Sequence, residues 1–110
     1  MFSINHTVKM LEVANEAGIR SLAQLRIFLL HAEAANASIV DVTGFDHTDL
    51  EYKQHYTQVR AMSQGTDSRG VVRPDLLKFS DVYEIKVDRQ VLLTEKGKAL
   101  FRKIKAIHKK

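Results

Sequence analysis

The side chains with the most chemistry to offer sit in one polar run, Thr48 to Gln58, TDLEYKQHYTQ. Gln54 and Gln58 carry amides that can pair bidentately with an adenine edge; Lys53 can reach guanine or a phosphate, and Glu51 can accept from cytosine. Thr48 and Tyr52 suit a phosphate contact or a thymine methyl, and His55 belongs to the same expected face. A second set of cations, Arg69, Arg73, Lys78, Lys86 and Arg89, suits a sugar–phosphate backbone. Against this chemistry stand Asp46, Asp49 and Glu51, three carboxylates at the helix end that would approach phosphates. Helix capping accounts for Asp46 and Asp49. Glu51 is then either a base reader or a sign that this face meets no nucleic acid.

Other chemistries find little support. The chain has no cysteine, which removes thiol nucleophiles, disulfides and cysteine-based zinc sites. His6, His31, His47, His55 and His108 show no metal-ligand spacing. His31 is expected at the edge of the core, and His47 and His55 on the polar face, where binding would strengthen modestly as pH falls. Gly65-Thr-Asp-Ser-Arg-Gly70 has the outer glycines of a phosphate loop but lacks the following Lys-Ser/Thr and succeeds a helix, so it reads as a turn. No Ser/His/Asp set, paired-carboxylate cleft or glycine-rich cofactor loop stands out. The expectation is a protein that is not an enzyme and uses neither cofactor nor metal.

At 110 residues, 45% hydrophobic and 27% charged, the chain is one ordinary globular domain, residues 1–110. It holds no apolar stretch long enough for a membrane span, and its start lacks the basic and apolar blocks of a secretory signal, so a cytoplasmic location is expected. The net charge of +4 is unevenly spread: residues 1–50 carry three Lys/Arg against six Asp/Glu, and residues 51–110 carry fourteen against seven. Such asymmetry fits one face meeting a polyanion, and it is also common on proteins that bind nothing charged.

These side chains need elements to hold them. Val8, Leu11 and Ala14 predict a helix over 7–17, stopped by Gly18. Ser21 caps a second helix, SLAQLRIFLLHAEAAN, so apolar around its circumference that it reads as the centre of the core. SIVDVT, 38–43, fits a short strand or little more than one helical turn. After Gly44 a turn leads into a long helix, 48–64, with a narrow apolar stripe of Leu50, Tyr52, Tyr56, Val59 and Met62. Short β-leaning runs then make a hairpin over 71–93. Its preferred tip is Asp88-Arg89; a rival register puts the tip at 80–84. Thr94 caps a last helix, 94–108, whose many lysines read mainly as a solvated face. The predicted fold is mainly α with a small β-hairpin wing, a winged helix-turn-helix with its helix-turn-helix at 38–64.

SLAQLRIFLLHAE (21–33), TGFDHTDL (43–50) and above all LLTEKGKALFRKI (92–104) resemble the corresponding parts of the MarR-like winged-helix DNA-binding family. The segment before the turn is about one helical turn shorter than the family's and the helix after it about one turn longer; the wing lacks the longer Asp-x-Arg stretch. The resemblance implies a sequence-specific double-stranded DNA-binding transcriptional regulator, chiefly a repressor. It would be a homodimer joined through helices 7–17 and 94–108, and its small size suggests control by abundance. The alternative is an interaction adaptor with a protein partner in a replication or transcription complex.

Overall fold

The computed structural model describes residues 4–34, 37–46, 48–80 and 90–108. Five helices and a small antiparallel sheet follow one another as α1 (Ile4–Glu16), α2 (Leu22–Glu33), β1 (Ala37–Ser38), α3 (Ile39–Thr43), α4 (Leu50–Ala61), β2 (Leu77–Phe79), β3 (Gln90–Leu93) and α5 (Glu95–His108). The chain is thus mainly helical with a three-stranded sheet of order β1-β3-β2.

The core forms around α2, as its all-round apolar character predicts. Leu25, Ile27, Phe28, His31 and Ala32 are buried there, and Phe28, Val59, Met62, Leu77 and Val91 are fully enclosed members of the same core. Ser21 caps the helix, its hydroxyl accepting from the Gln24 amide at 3.1 Å. Leu22, expected on the apolar face, is 72% exposed. On α1 Ala14 is buried and Met10, Val13 and Ala17, which widen the expected apolar stripe, pack against the core, while Val8 and Leu11 are exposed. α5 lies beside α1 and seats Leu100 and Ile104.

Both readings of 38–43 are realised in sequence. Ala37 and Ser38 pair with β3, and Ser38 then caps the one-turn α3, its hydroxyl accepting from the Asp41 amide while the Asp41 carboxylate accepts from Ser38. α4 is shorter than predicted because tertiary bonds take its end. The Met62 carbonyl accepts from the amides of Leu76 (2.7 Å) and Leu77 (3.1 Å), which draws the chain towards β2.

The expected 71–93 hairpin is described at its base, where β2 runs antiparallel to β3. Leu77, Lys78 and Phe79 pair with Leu93, Leu92 and Val91. β1 occupies the other edge of β3. The expected tip Asp88-Arg89, and all of the rival tip at 80–84 except Ser80, fall outside the described residues. Residues 81–89 themselves, with Lys86 and Arg89, lie outside the described residues. Val71 and Val72 join no strand of the sheet. Val72 instead bridges Thr66, and the Arg73 amide donates to Gly65, so 65–73 closes as a small hairpin of its own, turned at Gly70 (φ 81°).

The TEKG string of the last helix is a packing device. Thr94 Oγ1 donates to the Asp75 carbonyl at 2.6 Å and accepts from the Gly97 amide at 3.1 Å, capping α5 while tying it to the chain before β2. Gly97 packs directly on the Leu76 carbonyl, so a Cβ there would stand 2.1 Å from that oxygen.

Candidate nucleic-acid interface

α3, the turn and α4 present one side of α4 outward. Glu51, Lys53, Gln54, Thr57 and Arg60 are exposed there, and Thr48 is exposed just before the helix. The turn is held by reciprocal carboxylates: Asp46 Oδ1 accepts from the amide and hydroxyl of Thr48, both at 3.0 Å, and Asp49 Oδ2 accepts from the Asp46 amide. Two of the three worrying carboxylates are therefore occupied with the backbone. Asp49 stands at the N-cap position without a side-chain cap bond.

Two predicted readers are not on this face. Tyr52 and His55 are buried, and with Val59 and Met62 they form the inner stripe of α4. Leu50, placed in that stripe by the sequence, is 66% exposed instead. His55 meets His31 across the α2–α4 interface, with Nε2 atoms 2.7 Å apart and rings edge to face. Burial first, and each ring's charged neighbours second (His55 for His31, Arg26 for His55), lower both pKa values, His31 to about 4. The pair is neutral at pH 7, so the expected strengthening of binding through His55 on acidification is withdrawn; His47, the other histidine of that expectation, lies outside the described residues. Gln58 is half-buried, its Oε1 accepting from Gln24 Nε2 at 3.1 Å, so its amide is partly committed to α2.

The basic residues beside α4 are organised by the 65–73 hairpin. Arg69 is exposed and Arg73 half-buried, and they line a cleft of about 760 Å³ together with Arg20 and Arg60. The one carboxylate among the described residues that line it, Asp67, accepts from the amides of Val71 (2.9 Å) and Arg69 (2.8 Å). The Val71 amide above all, then the Arg69 amide and the Arg69 and Arg73 charges, hold it below the usual carboxylate range. An adjoining recess of about 550 Å³ shares Arg60 and Arg73 and reaches Lys78 on β2.

Arg20 and Arg60 were missed by the sequence reading. Arg60 had a usable signal, since it follows Lys53 by seven residues and Thr57 by three on one helical face. Arg20 had none: only the packing of the α1–α2 turn against the hairpin brings it there. Among the described residues no cluster of His, Asp and Glu could hold a metal ion, and no helix is long and apolar enough to cross a membrane. Comparison with family models, with curated proteins and with solved structures found no match to this chain.

Proposed function

We propose that this chain is a winged helix-turn-helix protein of MarR-like type that binds double-stranded DNA sequence-specifically and regulates transcription in the cytoplasm, most simply as a repressor occluding a promoter. The observation that carries the reading is the outward face of α4, where Glu51, Lys53, Gln54, Thr57 and Arg60 project from a helix of a width that fits the major groove. The element order supports it, since α3, a short turn and α4 precede the antiparallel pair β2 and β3, the succession a winged helix takes. Lys53 and Gln54 are the base readers, Thr48 a phosphate contact, and Arg69 and Arg73 backbone contacts. Two copies joined through α1, whose Ile4, Val8 and Leu11 are exposed, would present two α4 helices to a pseudo-palindromic site.

A second reading, an adaptor that docks a protein partner of the transcription machinery, is favoured by one observation. Leu22, Leu25, Leu29 and Leu30 line a mainly apolar groove on α2. Fluorescence anisotropy with a random duplex of about 30 base pairs separates the two readings. DNA binding should weaken from 50 to 200 mM salt with a log–log slope of about −0.9 per phosphate neutralised. Replacing Lys53 and Gln54 by alanine should abolish preference for a selected site, at about 1–3 kcal/mol per lost base contact. No binding at 50 mM salt sinks the DNA reading and leaves the adaptor.

A further inference from the structure

Four arginines from distant parts of the chain converge on one cleft. Arg20 follows the Gly18 turn, Arg60 stands at the end of α4, and Arg69 and Arg73 come from the 65–73 hairpin. Among the described residues no carboxylate lies within ion-pair distance of any of them. Asp67 leaves the cleft with three uncompensated positive charges, and it spends two hydrogen bonds on its own loop. The Nε of Arg73 is shut from solvent without an acceptor, a state that costs free energy until a ligand oxygen meets it. Cations gathered in one cleft repel one another, and guanidinium forks bind the oxygens of phosphates bidentately.

We propose that this cleft is a binding site for phosphoryl groups, and that Arg60 and Arg73, shared with the adjoining recess that reaches Lys78, let it hold two phosphates side by side. The two phosphates belong either to a free phosphorylated small molecule or to successive positions of a nucleic-acid backbone. The site lies beside the base-reading face, and its occupation by a free phosphate ligand does not require that the protein bind DNA.

The test uses the full chain, with inorganic pyrophosphate and a random duplex as probes, at constant ionic strength. Titration calorimetry follows pyrophosphate and anisotropy follows the duplex. Arg60→Gln, Arg73→Gln and the charge-matched control Lys103→Gln on α5 are compared with the native protein, each checked by circular dichroism. Because Arg60 is exposed, Arg60→Gln leaves the fold intact whatever Arg73→Gln does. A free-ligand site gives stoichiometric pyrophosphate binding that weakens at least tenfold in both cleft variants, with duplex affinity unchanged. A backbone site gives duplex binding that weakens in both, each losing about one unit of salt slope, whether or not pyrophosphate binds. Either result in the cleft variants stands only if Lys103→Gln behaves as the native protein. The proposal is overturned if neither probe distinguishes the cleft variants from native protein and control. Pyrophosphate binding by a protein that binds no duplex would refute the DNA reading and leave this one standing.

Discussion

The His31–His55 contact makes acid stability a direct measure of the α2–α4 interface. Two neutral imidazoles 2.7 Å apart share one proton, so one ring donates from Nε2 and the other accepts. His31 Nδ1 is buried with no partner. A bare lone pair there costs less than an unmet N–H, which makes His31 the donor and leaves Nδ1 as the site the next proton must take. That proton would sit in the core without an acceptor, which is why burial drives the His31 pKa to about 4. Since the native value is lower than the unfolded one, the unfolded chain binds more protons below pH 6.5, and stability falls as pH drops from about 6.5 to about 4. For His31 alone, moving from pH 7 to pH 4.5 should cost roughly 2 kcal/mol, and the lowered His55 acts in the same direction. Stopping at pH 4.5 keeps the measurement above the range in which Asp67 contributes. Urea unfolding followed by circular dichroism across this range should show the midpoint falling at constant slope. The double variant His31→Leu, His55→Leu replaces both partners by apolar groups and should flatten the profile without large loss at pH 7. An equal fall in the double variant, or none in the native protein, refutes the assignment.

Gly97→Ala would drive a methyl group against the Leu76 carbonyl and push α5 off the chain leading into β2. Overpacking of this kind outweighs the helix preference of alanine and should cost about 2 kcal/mol, read as a fall of roughly 10 °C in the thermal midpoint. Ser38→Ala removes the buried capping box of α3 and should cost about 1 kcal/mol in urea unfolding, while leaving the β1–β3 pairing in place. Phe28→Ala, at the enclosed centre, should lose about 3–5 kcal/mol, enough to leave so small a domain largely unfolded in a melting experiment.

Much of the local architecture is legible from neighbours a few residues apart. The Gly18 stop, the Ser21 cap and the Thr94 start of α5 all depend on contacts within one helical turn, so the chain states them directly. The inner stripe of α4 was half legible. Tyr52, His55, Val59 and Met62 recur at helical spacing, yet His55 counts as polar until His31, 24 residues earlier, supplies its hydrogen bond. The apolar stripe therefore names Tyr52, Val59 and Met62 correctly but omits His55, and it includes Leu50, which is exposed.

Register and convergence belong to the tertiary structure alone. β3 takes Phe79 on one edge and Ala37 on the other, and the short β-leaning runs of 71–93 permit several pairings until β1, more than 50 residues upstream, closes one edge. The arginine cleft follows the same logic. Arg60, Arg69 and Arg73 are visible as cations in the sequence, but charge carries no address, and only the packing of the Gly18 turn against Pro74 brings Arg20 to meet them. Caps and periodicity thus settle the four longer helices to within a few residues, while the short stretch 38–43 stays open between strand and helix. The folded chain decided that His55 packs inward, which strands pair and which cations share a site, because those depend on residues that meet only through the core.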